Sequence, residues 1–145
     1  MIVREINNSD FDDLQVLYSE LSSEKSNTSS DDMRRHFQDN ISNQNVKYFV
    51  AENNGKLIAT CYVFIIPNLT RGLRNIAYIE NVVTRQEYRR KGAGQAVMEM
   101  AIRFAKESNC YKVVLQSGNA RKEAHMFYEK LGFDGNSKKA FEIRF

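Results

Sequence analysis

Between Asn75 and Gln116 a strand-like run, a basic glycine loop, an amphipathic helical pattern and a second strand-like run follow one another, and this order restricts the fold most. Asn75 to Thr84 carries Ile76, Tyr78, Val82 and Val83; Val97, Ala101 and Phe104 share one face of a helix over Gly94 to Glu107; Lys112 to Gln116 is short and β-branched. A helical crossover returns the chain parallel to the strand it left, so part of the sheet must be parallel. Elsewhere the pattern is antiparallel. Lys47 to Glu52 and Lys56 to Ile66 flank Asn53-Asn54-Gly55, a strong hairpin sequence.

The remaining segments add layers to this sheet. Ile2 to Ile6 alternates like a strand, and Ser9 or Asp10 caps a helix with Phe11, Leu14, Leu17, Tyr18 and Leu21 on its apolar positions. Ser22 to Ser30 reads as a serine-rich loop, and a second helix starts at Ser30 or Asp31 and runs through Met33, Phe37 and Ile41. Pro67 to Gly72 is a turn. Ala120 to Leu131 forms the last helix, stopped by Gly132, and Phe141 to Phe145 alternates and is expected to close the sheet. The expected class is α/β in the α+β sense, as a single domain over 1–145, a length that suits one core.

The loop itself is built for an anion. Arg89, Arg90, Lys91, Gly92, Ala93 and Gly94 put three cations and two glycines just before a helix, whose first turn offers unpaired N–H groups and the positive end of the dipole. No Gly-Lys-Ser/Thr follows and the third glycine of the dinucleotide fingerprint is missing. A different phosphate-bearing cofactor is therefore implied.

Asn119 and the run Phe127-Tyr128-Glu129-Lys130-Leu131-Gly132-Phe133 follow this Arg89-x-x-Gly92-x-Gly94 loop in order. Together they resemble the GCN5-related N-acetyltransferase (GNAT) superfamily. The resemblance implies an acyl-CoA N-acyltransferase fold, a mixed and mostly antiparallel sheet of six to seven strands with about four helices, and splayed central parallel strands that admit acetyl-CoA. It places the pyrophosphate on Arg89, Arg90, Lys91, Gly92, Ala93 and Gly94, with Gln95 opening the helix. It sets the pantetheine arm along the backbone of Val82, Val83 and Thr84, a form of β-augmentation, with Asn119 on the other side.

Tyr128 would protonate the departing thiolate, a role that suits a phenol with an ordinary pKa near 10. Glu80 is the candidate base for the acceptor amine, through raised pKa or a water relay, and competes with a strand-end ion pair to Arg85 or Arg74. Glu80, Asn81 and Arg74 are the expected acceptor-side residues, and strand alternation puts Glu80 and Asn81 on opposite faces.

The nearest motif match is to the glucosamine-phosphate acetyltransferase branch, among small bacterial members; Asn81 departs from the acid usual there. The expected activity is transfer of acetyl from acetyl-CoA to a primary amine of a small molecule by direct attack. A protein or peptide N-acetyltransferase and a noncatalytic acyl-CoA sensor are the alternatives.

Composition sets limits on partners. A net charge of +3 with the cations gathered in one phosphate-sized loop argues against a nucleic-acid module. The apolar stretch Leu57 to Ile66 is too short for a membrane span. Cys61 and Cys110 form no metal-binding spacing and read as reduced, buried thiols, and His36 and His125 stand alone, so no metal is expected. The amino-terminal residues have no signal-peptide pattern, giving a cytoplasmic expectation; the question of a homodimer stays open.

Overall fold

The computed structural model describes residues 1–24 and 26–145. Lys25, within the loop expected over 22–30, lies outside the described residues. The chain divides into two compact units, Met1–Val114 and Leu115–Phe145.

The first unit holds β1 (Ile2–Glu5), α1 (Phe11–Tyr18), α2 (Ser30–Ser42), β2 (Val46–Asn53), β3 (Lys56–Ile66), β4 (Asn75–Thr84), α3 (Ala93–Glu107) and nearly all of β5 (Cys110–Leu115). The strands lie in the order β1-β2-β3-β4-β5. The first four pair antiparallel, and β5 runs parallel to β4 as the crossover demanded. Asn54 and Gly55 both have positive φ, 51° and 75°, the backbone that a two-residue primed turn requires and that glycine adopts without cost.

Helices cover both faces, which is why β3 is buried along most of its length. Phe11, Leu14 and Leu17 of α1 and Phe37 of α2 pack with Tyr48, Val50, Leu57 and Val83. On the opposite face, α3 brings Phe104 against Phe49 at 5.7 Å and buries Val97, Met98, Ala101 and Ala105. Tyr48 and Phe49 are neighbours in sequence and point to opposite layers, as strand alternation dictates.

Two helix starts differ in detail from expectation. Asn7 caps the turn before α1: its Oδ1 accepts from Ser9 N at 3.0 Å, while the Asp10 carboxylate accepts from Asn7 N at 2.8 Å. Asp10 is drawn away from capping α1 by Arg4, which donates to it at 2.7 and 2.9 Å. Ser29 caps α2 by accepting from Asp32 N at 3.1 Å.

The second unit contains α4 (Lys122–Lys130). Gly132, at φ 94°, sits in the left-handed position just past the helix. Gly132 N donates to Glu129 O at 2.9 Å and Phe133 N to Tyr128 O at 3.1 Å, closing a Schellman motif, and the Phe133 ring packs on Tyr128 at 6.1 Å.

Among the described residues the sheet has five strands, fewer than the six to seven expected. Phe141 to Phe145 forms no strand, although its alternation is real. Alternation defines two faces of a segment; a strand also needs a neighbouring edge to take its backbone hydrogen bonds.

Candidate functional site

The chain order of the site begins in β4, whose register slips. Glu80 lies opposite Tyr62 and Val83 opposite Thr60, so three steps along β4 match two along β3. The extra residue makes a β-bulge. Asn81 takes φ 52° there, a left-handed conformation that asparagine tolerates better than most residues. Asn81 and Val82 consequently have no opposite number in the β3 register.

The bulge also overturns the simple alternation. Glu80 pairs with Tyr62, which packs on the α1–α2 side of the sheet, and Val83 packs into that same cluster. Residues three apart thus share a face, which would be impossible in a regular strand. Glu80 and Asn81 are both exposed, and the left-handed backbone at Asn81 interrupts the alternation between them. The cause is one inserted residue.

Arg85, expected as an ion-pair partner for Glu80, belongs to the framework instead. Its side chain is buried, donating from Nε to Leu57 O and from a terminal nitrogen to Asp13 Oδ1, both at 2.6 Å. Its backbone N–H donates to Ile58 O at 2.8 Å. Arg85 therefore anchors the end of β4 to β3 and α1. Arg74 is also occupied, donating to Cys110 O at 3.0 Å and tying the start of β4 to the start of β5. Among the described residues Glu80 pairs with neither arginine. Burial, and then the Glu80 charge, raise the neighbouring Tyr78 phenol above its ordinary value.

The loop after β4 turns twice through left-handed backbone, at Arg90 (φ 59°) and Gly92 (φ 85°). Gly92 occupies the N-cap of α3 and supplies no side-chain cap, and the first turn has no acidic residue. The N–H groups of Ala93, Gly94 and Gln95 are the ones a helix start leaves without intrahelical partners. α3 starts at Ala93, one residue before the expected Gly94. Arg89 Nε donates to Thr84 O at 3.2 Å, Lys91 lies over the Tyr88 ring at 5.4 Å, and Gln95 donates to Glu99 at 2.7 Å. The arginines and the lysine are exposed. This part of the chain can accept an anion, with dipole, amides and cations acting together.

In the second unit, Asn119 is exposed in the turn before α4, and Tyr128 is buried on α4 with its ring 5.3 Å from Phe127. The turn is held by Arg121 N donating to Gly118 O at 2.9 Å and by a 2.9 Å contact between His125 Nε2 and the same oxygen.

Tyr18 was readable only as an apolar position of α1. Among the described residues its buried hydroxyl finds no hydrogen-bond partner of good geometry. Burial, reinforced by Tyr48, pushes the phenol above its ordinary range, while the neighbouring Asn81 side chain pulls it back. No local spacing in the sequence could announce this neighbourhood, because the bulge creates it.

Burial pushes the Cys61 thiol up to about 12, which keeps it protonated and a poor nucleophile. Among the described residues no group of His, Cys, Asp or Glu gathers to hold a metal ion, and no helix is long and apolar enough to cross a membrane.

The family model described as Acetyltransferase (GNAT) family matches residues 14–133. Over 92 residues the chain is 34% identical to glucosamine 6-phosphate N-acetyltransferase of Trypanosoma brucei brucei, covering 63% of this chain and 60% of that protein. The chain thus spans about 60% or less of the length of the first curated relatives it matches. Among solved structures, an Agrobacterium tumefaciens protein assigned as an acetyltransferase superposes with a TM-score of 0.93 at 38% identity, covering 99% of both chains. Arabidopsis thaliana glucosamine-6-phosphate N-acetyltransferase gives 0.86 at 27% identity, covering 98% of this chain and 97% of that one. With the bulged β4, the open helix start and these matches in agreement, the chain belongs to the acetyltransferase (GNAT) family.

Proposed function

We propose that this protein transfers the acetyl group of acetyl-CoA to a primary amine of a small molecule, by direct attack. The observation that carries this reading is the bulge at Asn81, which takes residues 81 and 82 out of the β3 register immediately before the anion loop. A backbone released from its ladder can pair with an extended ligand, and the pantetheine arm is such a ligand. Val82, Val83 and Thr84 hold that arm in this reading. The pyrophosphate is taken by Arg89 to Gly94, with the amide of Gln95 beside it. Single-domain organisation over 1–145 is part of the proposal, supported by a family match that runs across the division at Val114.

The chemistry needs few groups. The amine attacks the thioester carbonyl, a β4 amide near Val82 stabilises the oxyanion, and the thiolate leaves with a proton from Tyr128. Asn119 binds the pantetheine. Glu80, exposed beside the bulge, receives the proton of the acceptor ammonium directly or through water. Glu80 and Asn81 also meet the acceptor. Arg74 contributes to the acceptor only by exchanging its bond to Cys110 O, which makes it the weakest member of the set.

Amino sugars are the first acceptors to try, because several relatives act on glucosamine 6-phosphate by name. Coenzyme A thiol release is measured with a panel of amino sugars, polyamines and peptides. Turnover with a small amine supports the proposal, and turnover with peptides alone shifts it to a peptide acceptor. Acetyl-CoA binding without turnover on any acceptor replaces it with a sensor. For Tyr128→Phe, kcat is expected to fall about 100-fold with little change in KM for acetyl-CoA, since only the donated proton is lost.

A further inference from the structure

Within the first unit, the two faces of the β3–β4 pair are covered unequally. Toward α3, Val63, Ile65, Ala77 and Ile79 are buried, in line with Cys61, whose thiol lies against Val97 O. Toward α1 and α2, Tyr62, Phe64, Ile66, Ile76 and Tyr78 are only half-buried and Glu80 is exposed. The register sets Tyr62 across from Glu80, Phe64 across from Tyr78 and Ile66 across from Ile76, so these six side chains make three rungs on one face. The Tyr62 ring is braced: it packs on Tyr48 at 4.8 Å, and Asn40 Nδ2 donates to the Tyr48 hydroxyl at 3.1 Å.

Half-buried rings at the margin of a core are ordinary, but a carboxylate at the end of the same strip is not. Ring faces and a carboxylate are both electronegative, so they attract the same guest, an ammonium. Among the described residues Glu80 has no ion-pair partner to take that place. Length adds a second restriction. Two residues along a strand advance about 7 Å, so a nitrogen at the Glu80 rung sets a body joined to it by a short linker over Tyr78 and Phe64, with Ile66 and Ile76 beyond.

We propose that Tyr62 and Tyr78 are specificity-determining residues that select, as acceptor, a primary amine carried by a short alkyl chain on an aromatic body, with the ammonium at Glu80 between the two rings. The inference rests on the acetyl-transfer reading and deepens it, since the ammonium gives its proton to Glu80 or water before attack. A phosphorylated amino sugar laid along the same line puts its phosphate over ring faces and isoleucines, which do nothing to replace the water it loses.

Coenzyme A release by the full chain is measured with phenethylamine, glucosamine and glucosamine 6-phosphate, and kcat/KM is expected to be about tenfold higher for phenethylamine than for either sugar. Tyr62→Leu and Tyr78→Leu keep the apolar area and lose the ring. Each is expected to raise KM for phenethylamine about tenfold and leave KM for acetyl-CoA as in the wild type, whereas Tyr78→Phe keeps the ring and stays within about twofold. Circular dichroism melts establish that the variants are folded. An amino sugar that outperforms phenethylamine, or leucine variants with an unchanged KM, overturns the proposal. The trimethylammonium form of phenethylamine has no N–H to lose and separates this inference from the reading beneath it. Calorimetry is expected to show that it binds the wild type, and both leucine variants more weakly. Such binding without turnover of any amine leaves the amine site standing and removes acetyl transfer; failure to bind overturns the site whatever the turnover.

Discussion

Arg85 shows how a single side chain can be read wrongly from its position. In the sequence it follows β4 by one residue and looks available to Glu80; in the fold it is 5% exposed and bridges Leu57 O and Asp13. Arg85→Met would leave the partly buried Asp13 carboxylate without its cation, held only by Leu57 N–H, and the Leu57 carbonyl without the guanidinium, so unfolding free energy should fall by about 3 kcal/mol in a urea titration. An unchanged midpoint would show that water replaces the guanidinium.

Asp10 gives a residue-scale pH prediction. Burial would raise its carboxyl, but the hydrogen bond from Arg4, with Asn7 N–H, more than offsets this and holds it below the ordinary 3.8. A carboxyl depressed in the folded state adds stability above its unfolded pKa, and that stability is lost as pH falls through the folded pKa. The wild type should therefore lose stability below about pH 4 more steeply than Asp10→Asn, as read from melting temperatures between pH 2 and 6. Equal slopes would remove Arg4–Asp10 from the account.

At the scale of elements, the hairpin, the α4 stop and the glycine loop before α3 were legible because each depends on local backbone chemistry. Asn54-Gly55 needs two positive φ values, Gly132 needs one, and the loop's cations and glycines are contiguous. The β4 bulge was not legible. It is a mismatch between two strands, and no spacing within β4 records how many residues β3 sets against it. Asn81→Val forces a β-branched residue into left-handed backbone and should cost about 1–2 kcal/mol while impairing acetyl-CoA binding; Asn81→Gly should stay close to wild-type stability. Similar melting curves for both variants would mean that the bulge relocates when challenged.

For the whole molecule, acetyl-CoA is expected to stabilise the native chain by mass action. At 100 times its dissociation constant the gain is about 2.7 kcal/mol, equivalent to a rise of roughly 5–10 °C in Tm for a chain of this size. Raising ionic strength should shrink the shift, because the loop's cations are exposed and screened. A shift independent of salt would count against Arg89, Arg90 and Lys91 as pyrophosphate ligands.

The sequence by itself determined the order of elements as far as α4, the parallel crossover and the place of the basic glycine loop before α3, since these follow from periodicity, turn residues and contiguous charge. It also marked residues 141–145 as strand-like. Only the tertiary structure decided that Arg85 is framework, that the Tyr18 hydroxyl is buried near Asn81, and that Glu80 and Val83 share a face. It also left residues 141–145 outside any strand. These properties arise from pairings between segments distant in sequence, and a hydrogen bond or a register has two ends of which a local pattern contains one.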